Sequence, residues 1–158
     1  EGDLIVKTGV VGASGVITFG PSPTGLTDND GIIGVATENL ALNDFGRITT
    51  FGVVHGINTT GSSVGETWVN GDILYYNPSV AGGLTKTIPT APNAKVQVCA
   101  VVYADATMGS LFVRPSCGGA LGQFEGDVNI SGQTGGQVLT WNSSLLRWEN
   151  KNVSGGTF

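Results

Sequence analysis

Apolar residues along this chain fall into short runs, some alternating with polar residues and some continuous, each closed by Gly, Pro, Asn or Asp. No window keeps them at the 3.6-residue spacing of a helix, whereas Val, Ile, Thr and Tyr recur at the two-residue spacing of a strand. The pattern predicts strands over residues 4–7, 16–19, 32–37, 47–55, 73–76, 96–103, 111–114, 137–141 and 146–150. Between them, Pro21-Ser22-Pro23-Thr24-Gly25, Asp28-Asn29-Asp30-Gly31 and Val69-Asn70-Gly71-Asp72 are turn chemistry, either tolerating positive φ or presetting it. Ile32–Ala36 and Val96–Val102 are nearly uninterrupted apolar runs, which predicts central strands covered on both faces. Residues 47–55 are mixed and predict one strand with a wetter face. Strands at intervals of about 8–12 residues define an all-β fold, a small β-barrel or sandwich.

Composition agrees, with 26 Gly and 12% charged residues in 158. It also divides the chain. From Gly118 the sequence loses its β-branched residues and fills with glycine, which predicts a linker over 118–126 between a barrel or sandwich module at 1–117 and a short β-hairpin element at 127–158. The terminal element has too few apolar side chains for a core of its own, and domains of about 40 residues usually need disulfides, metals or oligomerisation. It carries no cysteine and no metal-ligand pattern, so oligomerisation is left. Trp141 and Trp148 both lie on this hairpin, and a two-stranded ribbon is marginal in water. Large aromatics there need a further partner.

The formal net charge of −5 and the scattering of the seven Lys and Arg predict no nucleic-acid binding. No apolar run reaches the roughly 18 residues of a membrane span, so no membrane insertion is expected. The opening on Glu1 and the ending on Gly155-Gly156-Thr157-Phe158 suggest a piece of a longer protein. Cys99 and Cys117 are expected to be free thiols, with a bond between them as the alternative.

Candidate chemistry is thin. Gly61-Ser62-Ser63-Val64-Gly65 matches the spacing of a nucleophile elbow at Ser63, but that turn needs a strand before it and a helix after it, and the only histidine, His55, precedes the serine. Asp3, Asp28 and Asp30 lack the spaced acid that closes a calcium loop. The acids Glu38, Asp44, Glu66, Asp72, Asp105, Glu125 and Asp127 sit at turn positions rather than in strand interiors. No catalytic, cofactor-binding or metal-binding residue is assigned. The chain is read as a non-enzyme without a cofactor.

Two stretches carry a resemblance. Gly31-Ile32-Ile33-Gly34-Val35-Ala36-Thr37-Glu38-Asn39 with Gly46-Arg47-Ile48-Thr49-Thr50-Phe51-Gly52-Val53-Val54-His55-Gly56, followed by Gly71-Asp72-Ile73-Leu74-Tyr75-Tyr76-Asn77-Pro78 and Gly109-Ser110-Leu111-Phe112-Val113-Arg114, resembles a module of bacteriophage tail fibre and related virion proteins. Gly126-Asp127-Val128-Asn129-Ile130-Ser131-Gly132 with Gln137-Val138-Leu139-Thr140-Trp141 and Arg147-Trp148-Glu149-Asn150 is similar to an element of fibre shafts. The resemblance implies a homotrimeric structural component of a virion. It would be a tail fibre segment supporting host attachment, assembled in the bacterial cytoplasm, extracellular when mature, and bound to other tail or capsid proteins. The trimer interface it implies is Val138, Leu139, Trp141, Leu146 and Trp148. Two alternatives stay open: a capsid decoration or head-fibre protein, and a carbohydrate-binding module in which Trp68, Tyr75 and Tyr76 contact a host cell-surface glycan.

Overall fold

A computed structural model describes residues 1–28, 31–117 and 128–153. The chain divides into two compact units, Glu1–Gly118 and Gly119–Phe158. The linker expected over 118–126 lies outside the described residues. The strands and the absence of any α-helix among the described residues make the fold all-β.

In the first unit, β1 (Leu4–Val11) and β2 (Val16–Pro21) form a hairpin whose tip is a single 3-10 turn closed by Gly15 in the left-handed region. Both strands outrun their predicted lengths, and they stay paired up to the turn, Val10 with Ile17 and Val11 with Val16. With β3 (Ile32–Ala36) and β4 (Ile48–Thr49) they make a four-stranded sheet in the order β2-β1-β3-β4. The second sheet contains β5 (Gly52–Ile57), β6 (Ile73–Tyr76), β7 (Leu84–Thr85), β8 (Val96–Tyr103) and β9 (Gly109–Cys117), in the order β5-β9-β8-β6-β7. Among the described residues neither strand order returns on itself, and the fold contains a curled half-barrel sheet. The buried faces meet in one core, where Leu4 and Val35 of the first sheet join Leu74, Val98, Leu111 and Val113 of the second.

The single strand expected over 47–55 is broken. Ile48–Thr49 pairs with β3, and Gly52–Ile57 pairs with β9 in the other sheet. Gly52, at φ 133, supplies a backbone conformation that other residues avoid, and the chain changes sheets there. The two apolar runs do form inner strands, β3 third of four and β8 third of five. Yet β8 is not covered throughout: Gln97, Val102 and Tyr103 are exposed. Pro115 lies inside β9 without breaking it, because a register shift opposite Val98 leaves the ladder bulged there.

Ser22 is the one buried side chain among the described residues whose oxygen has no hydrogen-bond partner, although its own N–H and carbonyl bond Leu4 and Gly82. A buried hydroxyl without a partner costs roughly 1–3 kcal/mol of desolvation. Ser22→Ala should therefore leave stability unchanged or raise it by up to about 1 kcal/mol in urea unfolding. A loss of that size would mean that the hydroxyl is satisfied.

Candidate interaction surface

The second unit is a three-stranded sheet of β10 (Val128–Asn129), β11 (Gln137–Asn142) and β12 (Arg147–Asn152), with β12 in the middle. β10 runs parallel to β12 and was not foreseen from so short a run; its signal was only Val128 and Ile130. β11 and β12 are antiparallel, and the register sets Trp141 directly opposite Trp148. Their rings meet edge to face, centroids 5.6 Å apart at 65°. This arrangement suits the aromatic quadrupole.

Strand alternation sorts the rest. Leu139 lies two residues from Trp141, and Val128 is opposite Trp148, so Val128, Leu139, Trp141 and Trp148 share one face. It is open: Trp141 is 46% and Trp148 39% exposed. The other face is polar and centred on Glu149, whose carboxylate accepts from Asn142 Nδ2 at 3.0 Å and Arg147 Nε at 2.9 Å. Those bonds, Asn142 first, hold its carboxyl below the ordinary value against the opposing effect of burial, with lesser help from the charges of Arg147 and Lys151. Asn150 ties in the preceding loop, pairing with Ser131 through both amide atoms and donating to Gln137 Oε1 at 2.7 Å.

Of the residues assigned to a trimer interface, Leu139, Trp141 and Trp148 are brought onto one face. Val138 is not: it alternates to the Glu149 side, opposite Lys151. Leu146 lies in the turn at φ 52, exposed, in a loop where Asn142 Oδ1 accepts from the Ser144 and Leu145 N–H groups.

The glycan platform is corrected. Tyr76 is fully buried, donating to the Pro23 carbonyl at 2.8 Å and accepting from the Leu26 N–H at 2.9 Å, so it pins the 21–26 loop to the core. Trp68 is 6% exposed, packed on Gly61 and donating from Nε1 to Glu66 Oε2 at 2.6 Å. Neither ring offers a face to a sugar, and Tyr75 remains only half-buried. A cleft of about 240 Å³ opens beside Trp68, floored by Ile57, Leu84 and Leu111. That is below the roughly 300–1,000 Å³ of ordinary ligand pockets.

Glu66 was counted among solvated acids; it is a hub. Its carboxylate accepts from Trp68, Thr85, Thr87 and the Lys86 N–H, joining the 66–68 segment to β7. Partial burial pushes its pKa up, but these hydrogen bonds together outweigh burial and hold it below the ordinary 4.5. A carboxyl depressed in the folded state contributes stability that is present above its unfolded pKa and lost as pH falls through the folded one. Glu66→Gln should cost about 1–2 kcal/mol at neutral pH, the scale of hydrogen bonds to a charged group. The gap between wild type and variant in thermal melts should narrow as pH drops below 4.5. A gap that widens in acid would contradict this.

Ser63 lies in a lone 3-10 turn, Ser62–Val64, between two glycines in the left-handed region, not in a strand-to-helix elbow. His55 pairs across β5 with Ser110. Asp105 is held below its ordinary pKa chiefly by the Met108 and Thr107 N–H groups, a turn-closing role. Cys99 is a free, buried thiol pushed up to about 12 by burial. The side chain of Cys117 and residues 29–30 and 118–127 lie outside the described residues. Among the described residues no three His, Cys, Asp or Glu side chains cluster to hold a metal, and no helix is long and apolar enough to cross a membrane.

Comparison with protein families, with curated proteins and with solved structures found no match.

Proposed function

We propose that this chain is a structural component of a bacteriophage virion, a homotrimeric tail fibre segment that supports host attachment. The first unit is a spacer or joint, and the second is the lock between chains. One observation carries the reading: the small sheet of the second unit exposes Leu139, Trp141 and Trp148 together on one face and puts its charges on the other. Three short strands cannot bury those rings themselves, and copies of the same face around an axis can. The sequence resemblance, the all-β fold and the acidic surface support the same reading. The test is the mass of the chain in solution by analytical ultracentrifugation. Three copies per particle are expected; a stable monomer at micromolar concentration overturns the reading and favours a lattice-bound decoration protein.

A further inference from the structure

The first unit carries a second open surface. The register aligns Val53 with Phe112, Phe112 with Ala100, and Ala100 with Ile73, a row across β5, β9, β8 and β6 on the side away from the core. Phe51 extends it, edge-on to Phe112 with centroids 5.5 Å apart, and is 71% exposed. An antiparallel sheet facing water normally shows polar residues on that side. This one shows a row of apolar ones. Its five strands contain no Asp or Glu, and Arg114, exposed two positions after Phe112, is their one formally charged residue. In a chain of net charge −5 this face is apolar with a cationic rim.

Such a face is complemented by an apolar knob flanked by carboxylates, and the chain possesses one. Leu42 is 93% and Phe45 86% exposed, in the loop between β3 and β4, with Glu38 and Asp44 beside them. The loop is built to hold them out. The Asp44 N–H donates to the Ala41 carbonyl, the Phe45 N–H donates to Asp44 Oδ1 at 2.8 Å, and Glu38 Oε1 accepts from the Arg47 N–H at 2.9 Å. A loop already ordered loses little entropy when it docks.

We infer that loop 38–46 of one copy docks on the outward face of the five-stranded sheet of a second copy of this chain, Leu42 and Phe45 on the Phe51–Phe112 row and Asp44 toward Arg114. Knob and face are different surfaces, so the contact is head-to-tail, which closes into a ring when the rotation allows. Face-to-face pairing would instead bring two cationic rims together. The contact uses the first unit alone and does not depend on the tryptophan face.

The test is disulfide trapping in the 158-residue chain with Cys117→Ser, leaving Cys99 in its buried place. Copies with Leu42→Cys and copies with Val53→Cys, differently tagged, are co-expressed and mildly oxidised. Heterotypic products should exceed either homotypic product at least tenfold. Arg114→Asp in the Val53→Cys copy should abolish that excess, and Arg114→Lys should keep it. Homotypic Val53→Cys products in excess, or no cross-link, would overturn the contact. Because both positions are exposed, the substitutions leave the core intact. A three-copy mass with no cross-link removes this contact and leaves the tryptophan lock standing, whereas heterotypic cross-links in a particle whose dissociation on dilution is unchanged when both tryptophans are replaced remove the lock and leave the contact.

Discussion

Gly109→Ala should lower the stability of the first unit by about 3–4 kcal/mol, a large share of the roughly 5–15 kcal/mol that holds a domain together. Gly109 pairs with Ile57 at the end of β9, and a Cβ there would lie 2.5 Å from the Ile57 carbonyl oxygen and would overlap Thr59 Oγ1 outright. The first obstacle is backbone in a paired strand and cannot swing aside. The second is a fully buried hydroxyl that donates to the Tyr103 carbonyl at 2.7 Å and accepts from the Asp105 N–H at 3.1 Å. Relief of the overlap therefore requires either a shift of β5 against β9 or the loss of the bonds that fold 103–109 back onto residue 59. Overpacking costs about 1–3 kcal/mol. Losing the buried hydrogen bonds adds about 1 kcal/mol each. The melting temperature should fall by roughly 10 °C or more. Gly20→Ala is the control: it is also a strand glycine, but its Cβ would meet only Thr8 Cγ2 at 3.4 Å, an ordinary contact. Its melting point should move by little. Equal shifts in the two variants would mean that strand entropy, not the close approach at Thr59, sets the cost.

That close approach marks where sequence reasoning stopped. The two-residue periodicity located the strands that carry the core residues Leu4, Val35, Leu74, Val98 and Leu111, and the Gly-rich change of character lies at the division between Gly118 and Gly119. Both signals are local and repeat along the chain. What escaped depends on partners far apart in sequence. Gly109 is one more glycine until Thr59 is seen against it, and Glu66 is one more surface acid until Thr85 and Lys86 arrive from 19 and 20 residues away. Trp68 and Tyr76 fitted a sugar platform by residue type alone. Their burial follows from Gly61, which leaves room for the indole, and from the Pro23 and Leu26 backbone groups that claim the phenol. The Trp141–Trp148 pairing was half legible: both rings lie on one hairpin, and alternation alone puts Val138 on the face away from Trp141, but the register that sets the two rings opposite each other is fixed by the turn from Asn142 to Arg147. Residues 47–55 were misread as one strand because periodicity does not register a change of sheet. The only local trace of it was Gly52.

Replacing Trp141 and Trp148 together by Ala should make a three-copy particle dissociate at a protein concentration at least tenfold higher than wild type while leaving the first unit folded. Each ring buries about 150–250 Å² when fully covered. With Trp141 46% and Trp148 39% exposed in one chain, a substantial part of each remains for a partner to cover. At about 25 cal/mol per Å², roughly 100 Å² of newly covered surface contributes about 2 kcal/mol per ring. With two rings from each of three chains, the total approaches 12 kcal/mol, enough to decide assembly at micromolar concentration. Trp148→Ala alone should lose more than its own share, because it also strips Trp141 of its edge-to-face neighbour at 5.6 Å. Glu149→Ala, on the opposite face, removes the acceptor for Asn142 and Arg147 and should loosen the turn without changing the mass in solution. Sedimentation of the four proteins, wild type included, separates the possibilities. If the double variant dissociates at the same concentration as wild type, the tryptophans pack within one chain and the lock lies elsewhere. If Glu149→Ala alone dissociates the particle, the charged face is the contact and the aromatic face looks outward.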